Sequence, residues 1–454
     1  MSLAALGAPP ATDGSPSSRA AVRAAAVRVL LRNWQGRFTV PSRSLYPHQW
    51  SWDSAFIALG LRHLSPRRAQ SELEHLMSAQ WGDGRLPHIV FSPAVPHDAY
   101  FPSPDFWRST TDGHERGAPA GQHTSGIVQP PVHALAAWHV HLAAPRESRR
   151  RDFLARLYPR LAAWHRYLLD ARDLGGAGLA AIVHPWEAGL DNSPVWDAPL
   201  SRVHPVPPAD YRRADLDHSA AADRPTDLDY GRYVRLATQY RDSGYDDAGP
   251  HGFAVEDPCF NTLLIASEYA LAHIASELHA DPLAHLHRAE HLTRILVDRL
   301  WDPDQGLFAA RDLNAGGGPA PLPGRSISGL VPLLLPGLPA PVADVLLDTV
   351  RGPHFRLATT VLPPSFDLES AEFDPSRYWR GPAWFNTAWL VYRGLLARGE
   401  DAAAAALRER LGNAAVTSGF AEYVDPFTGE GRGIRDFSWT AALTLDLLQE
   451  EQFV

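Results

Sequence analysis

Carboxylic acids and tryptophans occur together in the stretch "HPWEAGLDNSPVWD", residues 184–197. A carboxylic acid flanked by tryptophan side chains loses contact with water, which raises its pKa and keeps it protonated near neutral pH, as a general acid requires. Asp191 fits this role better than Glu187, because the Gly-Leu-Asp-Asn-Ser-Pro turn would project it from a sharp bend. The alternative is that Asp191 only caps the following turn, which Asp before Asn-Ser-Pro often does.

A second carboxylic acid is needed if the first one acts in the hydrolysis of a glycosidic bond, because such reactions use a pair of them. Glu422 is the best distant candidate. It lies beside aromatic residues in "GFAEYVDPFTGEGRGIRDFSWT", just before a Gly-rich turn. Asp425 and Glu430 lie in the turn itself, where solvated loop acids are more typical. The sequence therefore predicts Asp191 as the acid and Glu422 as the base.

Aromatic and polar residues cluster where several predicted helices begin. They are Trp50, Trp52, Asp53, Gln129, Tyr378, Trp379, Arg380, Trp384, Asn386 and Trp439. Sugars present apolar C–H faces edged by hydroxyl groups, so a sugar site needs flat aromatic surfaces beside amides, carboxylates and guanidinium groups. For any single tryptophan, plugging the end of a helical core is the better interpretation. For the set together, the composition favours a sugar site.

The composition argues against several other classes of function. A formal net charge of −9 argues against a nucleic acid or an anionic membrane as the partner. The chain contains no lysine, which excludes a pyridoxal phosphate Schiff base and a P-loop. Cys259 is the single cysteine, and the pair His287 and His291 lacks a third ligand for a metal ion. No metal and no cofactor is therefore implied.

The chain is predicted to form one catalytic domain, residues 21–454, after a flexible Pro/Gly/Ser-rich tail, residues 1–20. The tail lacks the features of a signal peptide, and no window of about 20 apolar residues predicts a membrane span. A cytoplasmic location is therefore the expectation. The long Pro- and Asp-rich stretch 197–230 is expected to be a loop excursion that forms a lid over the active site.

Helical periodicity dominates the chain and strand-like alternation is nearly absent, so the predicted fold class is all-α. Amphipathic helices tend to alternate with apolar ones that require burial on every side. The apolar helices begin near residues 50, 130, 258, 325, 380 and 437. Six buried inner helices paired with more polar outer ones predict an (α/α)6 barrel, a toroid of six helical hairpins. A helical solenoid is the alternative.

Four motifs carry a family resemblance: "QWSWDSAF", "GLDNSP", "YWRGPAWFNTAWL" and "EYVDPFTGEGRG" followed by "FSWTA". In this order they resemble glycoside hydrolase family 63, and within it the bacterial mannosylglycerate and glucosylglycerate hydrolases. The resemblance implies an (α/α)6 barrel and an inverting mechanism with Asp191 as acid and Glu422 as base. Inversion requires the two carboxyl groups to stand roughly 6.5–9.5 Å apart, which leaves room for a water molecule.

The resemblance also implies a set of substrate-binding residues. They are Tyr46, Trp50, Trp52, Asp53, His88, Gln129, Arg224, Tyr230, Tyr378, Trp379, Arg380 and Trp384. Arg224 stands where the family holds the glycerate carboxylate, and a planar carboxylate is best held by a bidentate arginine. The alternative is that Arg224 is a loop clasp, paired with Asp223, Asp227 or Asp229.

Together these features predict an inverting α-glycosidase that cleaves mannosylglycerate or glucosylglycerate to a hexose and glycerate. The expected partner is a small-molecule glycoside, and a homo-oligomer is compatible with the sequence. One alternative on the same fold is an α-glucosidase or trehalase acting on di- or oligosaccharides, which would have no use for Arg224. A second alternative is a sugar-binding protein without catalytic activity.

Overall fold

Helices make up most of the computed structural model, which describes residues 16–217 and 220–449. They are, in chain order, α1 (Pro16–Asn33), α2 (Ser51–Leu61), α3 (Pro66–Ser78), α4 (Pro104–Trp107), α5 (Ser109–Asp112), α6 (His133–Ala143), α7 (Pro145–Arg150), α8 (Phe153–Ala171), α9 (Pro185–Ala188), α10 (Asp197–Leu200), α11 (Asp227–Asp242), α12 (Pro258–Glu277), α13 (Leu283–Leu300), α14 (Ala340–Arg351), α15 (Phe385–Ala397), α16 (Asp401–Thr417) and α17 (Ser438–Gln449). The predicted mostly helical class is confirmed. None of the helices in the described ranges is long and apolar enough to cross a membrane.

Short strands of two residues each join the helices. They are β1 (Gln49–Trp50), β2 (Ile89–Val90), β3 (Ala181–Ile182), β4 (Val255–Glu256), β5 (Trp301–Asp302), β6 (Leu307–Phe308), β7 (Arg311–Asp312), β8 (Ala320–Pro321), β9 (Ala383–Trp384), β10 (Tyr423–Val424) and β11 (Gly431–Arg432). They pair as antiparallel sheets in the orders β1-β2, β11-β10-β9, β3-β4-β7-β8 and β5-β6. Two residues are too few to show the alternation by which a strand is recognised in a sequence.

The six segments that the sequence predicts as buried contact one another in order. Helix α2 packs against α6, α6 packs against α12, and α12 packs against a 3-10 helix, Ile327–Leu334. The 3-10 helix packs against α15, α15 against α17, and α17 against α2, so the order of contacts returns to its start. Every residue of α2 is buried. These segments are buried over most of their surface, as their apolar composition requires, although Leu142 near the end of α6 is 39% exposed.

The amphipathic helices pack against these six segments. Helix α1 contacts α17, α3 contacts α2 and α6, α8 contacts α6 and α12, and α13 contacts α12. Helix α14 contacts the 3-10 helix, and α16 contacts α15 and α17. In α3 the buried apolar residues are Ala69, Leu73, Leu76 and Met77, which share one face of the helix. The polar faces of these helices are therefore left to the solvent.

The fourth buried segment differs from its prediction as an α-helix, because Ile327–Leu334 is a 3-10 helix. Pro332 lies inside it. A proline inside an α-helix lacks the amide hydrogen for the i→i−4 bond, and its ring clashes with the carbonyl four residues earlier. In a 3-10 helix each N–H donates to the carbonyl three residues earlier instead of four. An example is the bond from the Leu335 N–H to the Pro332 carbonyl at 3.0 Å.

Two boundaries that the sequence predicts can be compared with the structure. Helix α1 begins at Pro16, inside the predicted tail 1–20, and residues 1–15 lie outside the described residues. The stretch 197–230 contains α10, the start of α11 and three short 3-10 helices, Pro208–Asp210, Ala214–Asp217 and Ala221–Asp223. Its described residues, 197–217 and 220–230, are thus mostly short turns that lead into α11.

Gly60 lies where α2 approaches α17 most closely, and this contact can be tested. A Cβ at Gly60 would lie 2.2 Å from the carbonyl oxygen of Ala442. We predict that Gly60→Ala lowers the free energy of unfolding by about 3 kcal/mol, because backbone atoms cannot move aside as a flexible side chain would. Gly412→Ala in α16, where a Cβ would have no atom within 4 Å, should raise it by about 0.5–1 kcal/mol. Chemical unfolding of both variants measures the difference, and equal stabilities would contradict the close packing of α2 on α17.

Candidate active site

A cavity lies where the buried segments begin, and it collects most of the residues predicted for a site. Those that line it are Tyr46, Trp50, Trp52, Asp53, His88, Gln129, Asp191, Arg224, Tyr230, Tyr378, Trp379, Trp384, Glu422 and Trp439. They come from separate parts of the chain. Their meeting is therefore a property of the tertiary structure.

Further residues line the cavity that the sequence did not single out. They include Tyr100, Phe101, Asp215 and Phe437. Asp215 belongs to the stretch 197–230, but nothing in the sequence distinguishes it from the other acids there. Tyr100 and Phe101 lie in a loop without periodicity, so only their aromatic character could have marked them.

The carboxylate of Glu422 is fixed by the small sheet that follows it. Strand β10 pairs with β9 and β11, and the N–H of Glu422 donates to the Ile434 carbonyl at 2.8 Å. The side chain is 1% exposed. Its Oε1 accepts from the Tyr46 hydroxyl at 2.9 Å, and its Oε2 accepts from the Ile434 N–H at 3.3 Å. Hydrogen bonds of this kind favour the ionised form of a buried carboxyl group.

Arg224 brings a positive charge into the cavity. Its Nη2 donates to the Tyr46 hydroxyl at 3.0 Å, and its Nε donates to Asp215 Oδ2 at 3.4 Å. The guanidinium carbon lies 4.3 Å from the centroid of the Tyr378 ring, and Nη1 is 3.9 Å from Glu422 Oε2. Nη1 is buried and has no hydrogen-bond partner. The two N–H groups of Nη1 are therefore free to donate to an acceptor of a ligand.

The acids that the sequence offered as clasp partners for Arg224 are engaged elsewhere. Asp223 pairs with Arg432 at 3.2 Å, and Asp227 pairs with Arg213 at 2.9 Å. Asp229 belongs to the capping box at the start of α11. The partner of Arg224 in the stretch 197–230 is instead Asp215, which Arg213 also holds at 2.7 Å.

Asp191 stands in a tight turn after α9. The Ser193 N–H donates to the Leu190 carbonyl at 3.1 Å, which closes the turn. The Trp196 indole N–H donates to the same carbonyl at 2.8 Å, and the Tyr233 hydroxyl donates to the Asp191 carbonyl at 3.0 Å. The backbone on both sides of the carboxyl group is thereby fixed.

Of the four carboxyl groups that line the cavity in the described part of the chain, those of Asp53, Asp191 and Glu422 have raised pKa values. Burial raises the pKa of Asp191 to about 7, with Arg224 opposing the rise and Glu422 adding to it. Burial also raises the pKa of Asp53 well above its usual range, and the other two carboxyl groups add to that rise. Burial raises the pKa of Glu422, against the charge of Arg224 and the Tyr46 hydrogen bond. The charge of Arg224 opposes the effect of burial at both Asp191 and Glu422.

Aromatic rings form one wall of the cavity. The rings of Trp379 and Trp384 stack with centroids 3.9 Å apart and an interplanar angle of 3°. Trp384 also stacks on Tyr423 with centroids 4.5 Å apart. The backbone N–H of Trp379 donates to Asn192 Oδ1 at 2.9 Å, so this wall contacts the turn that carries Asp191. Flat apolar faces beside polar groups suit a sugar ring.

The start of α2 forms another part of the cavity. The Trp52 N–H donates to Gln129 Oε1 at 3.1 Å, so this amide oxygen caps the helix from a different segment. The adjacent Ser51 N–H donates to the His88 carbonyl at 3.0 Å. Burial, with a smaller contribution from His184, lowers the pKa of His88 to about 3, so His88 is a neutral imidazole.

Arg380 is the predicted substrate-binding residue that does not line the cavity. Its Nη1 and Nη2 bind the two carboxylate oxygens of Asp197 at 2.9 and 2.7 Å, and Nη2 also contacts Glu372 at 3.2 Å. The neighbouring Trp379 faces the cavity instead. The guanidinium of Arg380 is held by these two acids, which corrects its predicted place in the sugar-binding wall.

Metal ligation finds no support in the part of the chain that the structure describes. No group of three or more His, Cys, Asp and Glu side chains there is arranged to hold a metal ion. His287 and His291, the pair at helical spacing, lie on α13.

Comparisons with known proteins all find similarity to hydrolases of glycerate glycosides. Residues 46–440 match the model of the mannosylglycerate hydrolase MGH1-like glycoside hydrolase domain. The mannosylglycerate hydrolase of Rubrobacter radiotolerans is 41% identical over 94% of this chain and 96% of its own length. The glucosylglycerate hydrolase of Mycolicibacterium hassiacum is 38% identical over 95% of this chain and 99% of its own length. The family 63 mannosylglycerate hydrolase of Thermus thermophilus, solved in complex with Tris and D-glycerate, superposes with a TM-score of 0.84 at 40% identity, covering 94% of this chain and 99% of its own.

The fold, the site and these relatives together define a glycoside hydrolase, with carboxyl groups and aromatic rings lining one cavity. The chain belongs to the mannosylglycerate hydrolase MGH1-like family of glycoside hydrolases. The resemblance to glycoside hydrolase family 63 drawn from the four motifs is thereby confirmed.

Gly433 leaves room for the Glu422 carboxylate, and this can be tested. Gly433 has a φ of +66°, and a Cβ there would lie 2.4 Å from Glu422 Oε2. We predict that Gly433→Ala lowers turnover about 100-fold, because it displaces the carboxylate from Tyr46 and Arg224.

Gly429 provides the matched control, because its φ is +72° and a Cβ there would approach only Val361, at 3.4 Å. Both alanine variants should lose about 1–2 kcal/mol of stability from the left-handed backbone. Steady-state kinetics and thermal unfolding of the two variants separate these effects. Equal turnover in both would show that Gly433 matters only for the backbone.

Proposed function

We propose that this hydrolase cleaves mannosylglycerate or glucosylglycerate to a hexose and glycerate, with inversion at the anomeric carbon. The observation that carries the proposal is the buried Nη1 of Arg224, which has no hydrogen-bond partner and faces the same cavity as Asp191 and Glu422. A buried charged donor without a hydrogen-bond acceptor is costly, so such a group is suited to receive a ligand carboxylate. The names of the related hydrolases support the same class of substrate.

Asp191 is the proposed general acid. Its pKa of about 7 keeps a large fraction of the carboxyl group protonated at neutral pH, where an aspartic acid would ordinarily be ionised. It would give its proton to the glycosidic oxygen as the bond to the anomeric carbon breaks, so that glycerate leaves as a neutral alcohol at that oxygen. Activity should therefore decline as the pH rises through about 7, because Asp191 loses the proton that it must donate.

Glu422 is the proposed general base. Hydrogen bonds from Tyr46 and from the Ile434 N–H favour its carboxylate form, as does the charge of Arg224. It would take a proton from a water molecule that attacks the anomeric carbon on the face opposite the leaving glycerate. One displacement of this kind inverts the configuration and needs no covalent intermediate.

The sugar would bind between the aromatic wall and the start of α2. We assign Trp52 and Trp384 to its apolar faces and Asp53 to its hydroxyl groups. Gln129 presents its NH2 group, since its amide oxygen is taken by the Trp52 N–H. Trp50, Tyr378 and Trp379 complete the proposed subsite. The Asp53 carboxyl group can accept or donate hydrogen bonds, and the Gln129 NH2 group can donate them. Together they can distinguish sugars whose hydroxyl groups differ in orientation.

The glycerate would bind on the side of Arg224. Its carboxylate would accept from the free Nη1, with Tyr230 and the neutral imidazole of His88 nearby in the cavity. Tyr46 would then connect the two halves of the site, because its hydroxyl donates to Glu422 and accepts from Arg224. A substrate lacking the carboxylate would leave the charge of Arg224 less well compensated.

The architecture that supports this function is proposed to be a single (α/α)6 barrel domain, residues 21–454. The closed order of contacts through α2, α6, α12, the 3-10 helix, α15 and α17 supports it. We also infer that the stretch 197–230 acts as a lid. Its Arg212 donates to the Asp98 carbonyl at 3.0 Å, and its Asp223 carbonyl accepts from Tyr423 at 3.2 Å, so it contacts both the loop before α4 and strand β10.

A proton NMR time course tests the proposed reaction. The purified protein is incubated with mannosylglycerate, glucosylglycerate, trehalose and a glucose disaccharide, and the anomeric signals are followed. We expect a β-hexose to appear first from a glycerate glycoside, and Asp191→Asn or Glu422→Gln to lower turnover by about a thousandfold. Initial release of the α-anomer would contradict inversion. Cleavage of the disaccharides alone would indicate the α-glucosidase or trehalase alternative, and binding without cleavage would indicate the sugar-binding alternative.

The role of Arg224 is tested by its alanine variant. We predict that Arg224→Ala lowers kcat/KM for glycerate glycosides about 100-fold, the value of a buried charged hydrogen bond. The basic limb of the pH profile should move to higher pH, because Arg224 lowers the pKa of Asp191. Arg202→Ala is the control from the same stretch, since Arg202 pairs with Asp312 outside the cavity. If both variants kept wild-type kinetics, the carboxylate subsite would lie elsewhere.

A further inference from the structure

Glu187 lies four residues before Asp191 and is the acid that the sequence disfavours for catalysis. Its side chain is fully buried, and it is not among the residues that line the cavity. We propose that Glu187 is a positioning residue, whose carboxylate fixes the two chain segments that carry Asp191 and Gln129 into the cavity. This inference rests on the proposed role of Asp191 as the general acid.

Four hydrogen-bond donors surround the Glu187 carboxylate. Oε1 accepts from the Val128 N–H at 3.1 Å and from Arg172 Nη2 at 2.9 Å. Oε2 accepts from the Val183 N–H at 2.7 Å and from Arg172 Nη1 at 2.8 Å. A bidentate guanidinium and two backbone donors hold a carboxylate in one orientation. The group is thereby committed to the fold and is not available for proton transfer to a substrate.

The two backbone donors belong to different segments, and both segments reach the cavity. Val183 follows β3 and leads through α9 to Asp191. Val128 immediately precedes Gln129, whose amide oxygen accepts from the Trp52 N–H. A carboxylate offers acceptor positions on both oxygens and no donor, so it can satisfy all four donors at once. The Glu187 carboxylate therefore joins the segment of the acid to the segment of the sugar-binding amide.

The charge of this contact is compensated further inside the protein. Arg172 Nε donates to Asp247 Oδ1 at 2.8 Å, and Arg85 Nη2 donates to Asp247 Oδ2 at 3.0 Å. The hydroxyl groups of Tyr167 and Tyr240 also donate to Asp247. Two buried acids thus alternate with two buried guanidinium groups. Such a network costs desolvation and tolerates no missing partner, so its main effect is to select one geometry.

The geometry of Asp191 depends on this arrangement, because only a single helical turn and a tight bend separate it from Glu187. A general acid must stand within hydrogen-bond reach of the leaving oxygen, and a displacement of about 1 Å can cost about 100-fold in rate. Trp186, in the same short helix as Glu187, lines the cavity. If α9 loosened, water would reach Asp191, and the effect of burial on its pKa would weaken.

Glu187→Gln tests the inference because it keeps the shape of the side chain while placing an NH2 group against donors. We expect kcat to fall about 100-fold, KM to change less than about fivefold, and the basic limb of the pH profile of kcat to move at least about half a pH unit lower.

The matched control is Glu268→Gln. Glu268 is equally buried, pairs with His165 at 2.9 Å and His285 at 2.7 Å, and does not line the cavity. This control should lower the melting temperature and leave kcat within about twofold.

A second variant, Glu187→Asp, covers the case in which Glu187→Gln does not fold. It keeps the charge but retracts the carboxylate by one methylene group, so it cannot reach both the Val128 and Val183 N–H groups together with Arg172. We expect a partial loss of kcat with the same direction of change in the pH profile. A variant with a lower melting temperature but wild-type kcat and pH profile would show that Glu187 contributes only to stability. That result would overturn the inference.

The wild-type measurements keep this test separate from the proposed function. If the wild type cleaves only neutral glycosides, the glycerate proposal fails, and the Glu187 variants are compared on the glycoside that is cleaved. If Asp191→Asn retains turnover, Asp191 is not the acid, and the positioning role proposed for Glu187 falls with it.

Discussion

The positive charge of the Arg224 guanidinium opposes the effect of burial on carboxyl groups of the cavity. Carboxyl groups of Asp53, Asp191 and Glu422 share a space from which most water is excluded, and burial raises the pKa of each. Without a nearby cation, mutual repulsion would push all three toward the protonated form. Arg224 opposes this effect at Glu422, 3.9 Å away, and also at Asp191, so it lowers the pKa of both groups.

The same guanidinium links the chemistry to the recognition of the substrate. It contacts Glu422, the proposed base, through Tyr46, stacks over Tyr378 and keeps Nη1 without a hydrogen-bond partner. A ligand carboxylate bound there would partly neutralise the cation that lowers the pKa of Asp191. Under the proposed function, binding of the leaving group and protonation of Asp191 would be coupled through one side chain, since both depend on the same positive charge.

Buried charges serve two different purposes in this protein. In the cavity they are left incompletely paired, so that protons and ligands can be exchanged. Around Glu187 they are fully paired, with four donors on one carboxylate and a guanidinium on either side of Asp247. The second arrangement supplies the rigidity that the first one requires, because a cavity with unsatisfied groups cannot hold its own geometry.

The sequence by itself determined the helical class, the starts of the six buried segments and the acids Asp191 and Glu422 as candidates. These depend on local patterns, namely apolar periodicity, turn residues and aromatic neighbours. Such patterns can be recognised within short stretches of sequence. Only the tertiary structure decided which of these residues face the cavity. Arg380 and Trp379 are adjacent in sequence, yet the indole lines the cavity while the guanidinium binds Asp197 and Glu372. Likewise Asp215 became the partner of Arg224 and Glu187 the partner of Arg172, because charge pairing across distant segments depends on distances that no local pattern encodes.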